Sequence, residues 1–413
     1  MKVLWVCNII FPDMCEYLGL KSSPLGGWMV ASAKFLVKSG HVQLAIASMY
    51  NGKDIVHVYK NNIDYYMLPL SGDITRYHKS LQGIWEKVIA EFTPELVHIH
   101  GTENAHSLPL LEVYSGKKVV SIQGLVSAYY YYYGGLSYKD IVLNLSLRDL
   151  IFRSSIIHGK KSFARRAIIE KKIISNTHHI IGRTDWDKAH VLAINKTCQY
   201  HKCNESLRNS FYVNKWVYEK CHKNTLFVSQ GHYPLKGLHW AIKAISLLVK
   251  DIPDIHLYVG GPNIVAFSSM YEKLKISGYG LYIKRLIKRF RLQSHITFLG
   301  MLDETQMLKQ YLSANIYICP SSIENSPNSL CEAQILGVPN ISSYVGGIPS
   351  LVQEGKTGFL YPFGEYEMLA ERIKDILWQR IPYNIEISGI EARHNRDTNT
   401  SELLNIYEEI YEA

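Results

Sequence analysis

Residues 315–339, NIYICPSSIENSPNSLCEAQILGVP, decide the reading of the fold. Asn315 to Cys319 is a short apolar run suited to a buried strand. Pro320 to Asn325 reads as a polar loop. Ser326 is expected as an N-cap with Pro327 at the first helical position, where a missing N–H costs nothing. The helix should run to Leu336, with Gly337 just beyond it and Pro339 as the stop. Strand, polar loop and open helix N-terminus together suit an anion: the loop ends in Asn325 and Ser326, and the N–H groups of Asn328, Ser329 and Leu330 can point at phosphate. Glu324 and Glu332 frame this site. Carboxylates do not seek phosphate, but they accept paired hydrogen bonds from the vicinal hydroxyls of a ribose or hexose. A solvated loop glutamate and a second on a helix face would look the same, so the residues alone leave both readings open.

Glu324 and Glu332 have a Glu-x7-Glu spacing, embedded in ICPSSIENSPNSLCEAQILGVPNISSYVGGIPSLVQEGKTGFLYP. This text resembles the retaining GT-B glycosyltransferases of family 4, with Gly346-Gly347-Ile348-Pro349 and Gly355-x-x-Gly358 in the family's places. The resemblance covers most of 225–375 well and 1–125 more loosely. It implies two Rossmann-like doubly wound α/β domains facing across a cleft. It also implies that Glu324 faces the donor sugar, Glu332 the nucleoside ribose, and the pair Gly26-Gly27 the donor diphosphate. Lys236-Gly237 matches a diphosphate-holding lysine, but the family's companion arginine is absent. Gln230, His232 or Arg183 is expected to substitute. The family's His-Gly is here Gln123-Gly124, and a glutamine amide orients hydroxyls without taking a proton at neutral pH.

Composition sets bounds. A chain of 413 residues, 47% hydrophobic and 20% charged, is globular and long enough for two domains. Seven scattered cysteines suit a reducing cytoplasm. Met1-Lys2 leads directly into a strand-like run, so no signal peptide is expected, and no apolar run approaches a membrane span. A cytoplasmic protein, peripheral on the inner face of a membrane, is the expectation. The net charge of +9 suits an anionic partner.

Along the chain, Val3 to Cys7, Val42 to Ala47, Leu96 to His100, Lys118 to Ile122 and His178 to Gly182 read as strands. Residues 54–68 read as a hairpin, and Trp28 to Lys38, Leu81 to Phe92 and Asn104 to Tyr114 as helices. In such a sheet ligands bind beyond the carboxyl ends of the strands, which puts His100, Glu103, Gln123 and, further on, Tyr129 at an acceptor site. His98 and His100, flanking Ile99, are taken to point to opposite faces, with His98 packed and His100 functional. Tyr129 to Tyr133, before Gly134-Gly135, form a tyrosine run that could stack on sugar or line a loop. Residues 145–175 carry a net +6 interleaved with Ile151, Phe152, Ile156, Ile157, Phe163, Ile168 and Ile169. This basic amphipathic segment is expected to meet an anionic membrane surface or a lipid-linked acceptor. Arg183 ends a strand before the capping-box start Thr184-x-x-Asp187.

The first domain is expected over 1–200, a polar connection with few core positions over 201–224, and the second domain over 225–385. A last helix, 398–413, is expected to cross back to the first domain. Cys198, His201, Cys203, Cys221 and His222 are spaced too loosely for a zinc knuckle. No metal or cofactor is expected.

The function implied is transfer of a sugar from a nucleoside-diphosphate donor, UDP by default, to a glycan or lipid-linked hydroxyl in bacterial surface-polysaccharide synthesis. Lys236 and the helix N–H groups would stabilise the leaving diphosphate, and Glu324 would orient the sugar. A sugar-nucleotide epimerase of the same fold and a non-catalytic sugar-nucleotide or glycan binder are the alternatives. Nucleic acid is not expected as a partner, because no recognition module is present.

Overall fold

The computed structural model describes residues 1–21, 26–133, 135–266, 275–381 and 385–412. Gly134, part of the loop before Gly26, and Ala413 lie outside them. The chain forms two compact units: Met1–Ala128 with Phe163–Arg208 and Arg393–Ala413, and Tyr129–Ser162 with Asn209–Ala392.

The first unit holds eight strands: β1 (Lys2–Cys7), β2 (Gln43–Tyr50), β3 (Val56–Lys60), β4 (Ile63–Pro69), β5 (Leu96–His100), β6 (Lys117–Ser121), β7 (His179–Gly182) and β8 (Gln199–Lys202). Their order is β3-β4-β2-β1-β5-β6-β7-β8. All neighbours are parallel except the expected hairpin β3–β4. Its two turn residues, Asn61 and Asn62, are both left-handed, at φ 54° and 61°, which matches the right-handed twist of the flanking strands. Alternation along β1 splits the core over two faces: Leu4 and Val6 pack on one side, Val3, Trp5 and Cys7 on the other.

The same period corrects the expectation for His98 and His100. Residues two apart on a strand share a face, and the two rings stack at 3.8 Å. His98 is buried and bonded, as expected. The indole N–H of Trp5 can only donate, and it donates to the Tyr407 hydroxyl at 2.9 Å. That hydroxyl also hydrogen-bonds His98 Nδ1, 2.5 Å away. His98 Nε2 pairs with Ser121 Oγ at 2.6 Å. Burial holds the ring neutral by pushing its pKa well below the usual value. Tyr407 belongs to the last helix, Arg396–Glu412, which is thereby fastened to the first unit.

The second unit is a sheet of six parallel strands: β9 (Thr225–Val228), β10 (His256–Gly260), β11 (Ile296–Gly300), β12 (Ile316–Cys319), β13 (Asn340–Ser343) and β14 (Phe359–Tyr361). The order is β11-β10-β9-β12-β13-β14. Its core joins β9, β10 and β12 to the helices Leu238–Leu248, Gly278–Arg289 and Tyr366–Leu377. Capping boxes at Thr184 and Asp303 start their helices.

Two boundaries differ from expectation. Residues 129–162 group with the second unit, because buried Asp149 accepts from the N–H of Gly278 at 2.7 Å and Arg285 donates to Asn144 Oδ1 at 2.9 Å. Residues 201–224 are not a bare connection. β8 ends in them, and Cys203, Leu207, Phe211 and Cys221 are buried.

Replacing Tyr407 with Phe strands two buried polar groups, Trp5 N–H and His98 Nδ1. Tyr407→Phe is expected to cost about 1–3 kcal/mol, read as a lowered midpoint in thermal or urea unfolding of the full chain.

Candidate functional site

In the second sheet β9 lies between β10 and β12, so the connections from the carboxyl ends of β9 and β12 leave in opposite directions. Such a switch point opens a crevice at the strand ends. The β9 connection carries Lys236 and the β12 connection carries Glu324. They meet there: Lys236 Nζ donates to Glu324 Oε1 at 2.6 Å, and Ser321 Oγ donates to the same oxygen at 2.8 Å. Glu324 is only 8% exposed. Burial alone would lower the Lys236 pKa, but the facing carboxylate outweighs it and holds the ammonium charged, well above its usual value.

The two loops interlock through backbone. The N–H of Ser322 donates to the Leu235 carbonyl at 2.8 Å, and that of Gly347 to the Glu324 carbonyl at 2.9 Å. Gly237 has φ 68°, and a Cβ there would lie 1.7 Å from the Pro320 carbonyl oxygen. Gly346 has φ 52°, and its Cβ would lie 2.0 Å from the Glu324 carbonyl oxygen. Only glycine fits either place. Ser229, Gln230, Tyr317 and Ser329 complete a small polar pocket around the ion pair. Tyr317 ties it together, at 3.1 Å from Ser229 Oγ and donating to Ser329 Oγ at 2.9 Å. An ammonium has three donors and Glu324 takes one, so the arrangement can hold an anionic group beside a hydroxyl-accepting carboxylate.

The helix after this loop departs from expectation. It spans Asn328–Leu336, and extended Pro327 (φ −70°, ψ 112°) precedes it without any side-chain cap. Ser326 is not the N-cap, because extended Pro327 takes that place. The N–H of Leu330 is spent on the Pro327 carbonyl at 2.9 Å. Glu332 and Asn325 are buried, and the expected polar loop is largely enclosed.

The first unit has a corresponding polar pocket at the ends of β5, β6 and β7, lined by His100, Gln123 and Arg183 with Glu205. Arg183 is not a surface ion pair. It is buried, paired with Glu205, and donates to the Ile122 carbonyl at 3.1 Å and to Gln123 Oε1 at 3.3 Å. Gln123 Nε2 donates to Glu205 Oε1 at 2.9 Å. Gly26, at φ 77°, precedes the helix Gly27–Lys38 in this unit. Tyr129 falls in the second unit. Gln230 lines the Lys236 pocket, whereas His232 lines another, with Tyr233 and Arg148.

Burial separates the two candidate bases. His100, enclosed by Trp5, Trp28 and His98, is pulled down to about 3, which makes it a poor proton acceptor at neutral pH. Glu103 is raised by loss of water and accepts from the N–H of Gly124 at 2.9 Å, so it is the better base. Sequence reasoning missed Glu205, set in what read as a connection; treating 199–202 as a strand would have put it at a strand end. It also missed Glu170. That carboxylate is fully buried and accepts from Thr102 Oγ1 and the N–H groups of Val126 and Ser127. Among the described residues no group of three or more His, Cys, Asp or Glu is placed to hold a metal.

Residues 214–396, which contain the Lys236–Glu324 pocket, match the family described as glycosyl transferases, group 1. Among curated proteins, the chain is 30% identical over 146 residues to the putative colanic acid biosynthesis glycosyltransferase WcaL of Salmonella typhimurium, covering 34% of this chain and 32% of that protein. It is 30% identical over 128 residues to the sulfoquinovosyl transferase SQD2 of Arabidopsis thaliana, covering 30% and 24%. The chain thus spans a third or less of the length of these two relatives. Among solved structures, sucrose-phosphate synthase of Thermosynechococcus elongatus superposes with TM-score 0.71 at 15% identity, over 100% of this chain and 99% of that one. HepE of Anabaena, in complex with UDP-glucose, gives 0.67 at 12%, over 99% and 100%. At these identities they establish the fold, which is GT-B. The group 1 segment thus sits in a chain whose two α/β units both conform to that fold.

Two outcomes follow from this geometry. Gly346→Ala must move the Glu324 backbone or strain a left-handed residue; a loss of about 1–3 kcal/mol is expected in unfolding. Burial raises the Glu170 carboxyl pKa from its ordinary value near 4.5 to about 7. Its protonated form is therefore favoured in the fold, and its contribution to stability is full below about 4.5 and lost as pH rises through about 7. The melting temperature of the native protein, relative to Glu170→Gln, should fall across that window and be flat above it.

Proposed function

We propose that the protein is a retaining glycosyltransferase of family 4 type, moving a sugar from a nucleoside-diphosphate donor, UDP by expectation, to a hydroxyl of a glycan or lipid-linked acceptor. The observation that carries this is the buried Lys236–Glu324 pair at the switch point of a parallel sheet, inside the segment that matches group 1 glycosyl transferases. HepE was solved with UDP and glucose and with UDP-glucose, which supports a UDP-sugar donor. WcaL is named for colanic acid biosynthesis, which supports a bacterial surface polysaccharide as the product.

On this reading the second unit binds the donor. Lys236 and the N-terminal turn at Asn328–Ser329 take the diphosphate charge as the glycosidic bond breaks. With the charge met this way, no metal is called for. Glu324 holds the sugar hydroxyls, and Glu332 the ribose. Asn325 and Ser326 shape the loop. The first unit binds the acceptor through Gln123 and the Arg183–Glu205 pair, with Glu103 beside them. The leaving diphosphate or Glu103 takes the hydroxyl proton. The basic stretch 145–175 brings the protein to an anionic membrane surface that presents a lipid-linked acceptor.

An epimerase would convert one sugar nucleotide to another without releasing nucleoside diphosphate; a binding protein would do neither. A panel of sugar nucleotides, scored for thermal stabilisation and for nucleoside-diphosphate release, separates the three. Glu324→Gln keeps the shape of the side chain but removes its charge. The variant is expected to lose at least about a hundredfold in release or transfer while still melting cooperatively. Native rates in Glu324→Gln would overturn the assignment.

A further inference from the structure

Soluble proteins put polar residues outward and apolar ones inward. Residues 138–152 do the reverse. Asn144, Ser146 and Asp149 are buried, at 5%, 5% and 2% exposure. Tyr138, Leu143, Leu147, Leu150, Ile151 and Phe152 are between 58% and 76% exposed. The inversion is built into the local structure. Ser137 caps the short helix Tyr138–Leu143, and a Ser146–Asp149 capping box starts the helix Leu147–Ile151. The polar side then clamps onto the helix Gly278–Arg289. Asp149 accepts from Gly278 N–H at 2.7 Å, and Arg285 donates to the Leu143 carbonyl at 2.5 Å and to Asn144 Oδ1 at 2.9 Å. Gly278 admits this contact because a Cβ there would lie 2.4 Å from Asp149 Oδ2. With Asn144, Ser146 and Asp149 turned inward, the segment shows mainly apolar side chains and its basic residues.

Charge identifies what they meet. Exposed Lys139, Arg153, Lys160 and Lys161, with half-exposed Arg148, interleave with or follow the apolar residues along the chain. The two acidic residues of the segment are both engaged: Asp140 accepts from Ser137 Oγ at 2.7 Å, and Asp149 is the buried clamp. Exposed apolar side chains close in sequence to exposed cations are complementary to acyl chains beneath anionic headgroups. Helices of six and five residues are too short to span a bilayer, and among the described residues no helix is long and apolar enough to cross one.

We infer that residues 138–153 form a wedge that inserts into the headgroup layer of an anionic lipid membrane, with Leu147, Leu150, Ile151 and Phe152 as its apolar contacts. This rests on the membrane part of the proposed function and relocates the contact. Ile156, Ile157, Phe163 and Ile169 are half-buried, Ile168 is 62% exposed, and Arg166 is spent on the Glu103 carbonyl at 2.7 Å, so the later half of the basic stretch supplies mainly charge.

Co-sedimentation of the full chain with vesicles of phosphatidylcholine alone, or mixed with phosphatidylglycerol, tests this. Native protein is expected to bind the anionic vesicles preferentially. Ile151→Ser with Phe152→Ser should weaken that binding about tenfold or more, with the melting temperature unchanged because both side chains are exposed. Lys160→Gln with Lys161→Gln is the comparison. If the serine variant binds as the native protein does and the glutamine variant does not, the wedge is wrong and the electrostatic membrane reading survives. If native protein binds neither vesicle, both fall. If the native protein sediments as a dimer that the serine variant breaks, the patch is a contact between copies and the wedge is wrong.

Discussion

The second unit is arranged around one buried ion pair. A charge removed from water must be repaid by its partner, and leaving one member of such a pair alone costs about 3–5 kcal/mol. Lys236 and Glu324 therefore oblige two loops, 88 residues apart in sequence, to stay in register. That obligation explains the other features of the pocket. Gly237 and Gly346 are glycine because the loops pass at backbone contact distance. Ser321 is there to fill the shared carboxylate oxygen. A pair kept charged and enclosed can also be reorganised by an incoming anion, which would compete with Glu324 for the ammonium.

The first unit answers the same constraint with a different chemistry. Its strand ends carry Arg183 against Glu205, with Gln123 bridging to both. Here the guanidinium's fork is largely satisfied by protein acceptors, so it shapes a pocket more than it offers free charge. His100 sits beside this group but is insulated by a stack of rings, and burial has cost it basicity. Geometry selected the neighbourhood; desolvation then decided which of its members can handle a proton.

Much of this was legible in the sequence. Leu96 to His100 reads as a strand at the observed bounds, since it is a short apolar run with a glycine stop. Thr184 announces its helix because a capping box is local chemistry. The Glu324–Lys236 neighbourhood was found through spacing and resemblance, not periodicity. Local errors had local causes. The shared face of His98 and His100 follows from the strand period, and Pro327 stands one residue earlier than a first helical position. The larger misses were long-range. Asp149 clamps a helix start 129 residues away, and no local pattern reveals it.

That clamp also shows what amphipathicity alone does not decide at 138–153. A helical moment reports that one side is apolar, not which side is turned inward. The usual inference assumes that the apolar side finds the core, because burial of a large apolar side chain contributes about 1.5–3 kcal/mol. At Asn144 and Asp149 the assumption is reversed: the N–H of Gly278 and the Arg285 guanidinium on the neighbouring helix need acceptors, and an unmet donor costs a comparable amount. The segment satisfies those groups and forgoes its own apolar burial in water. Ile151 and Phe152, each 72% exposed beside a buried aspartate, are the part of this trade that the membrane inference rests on.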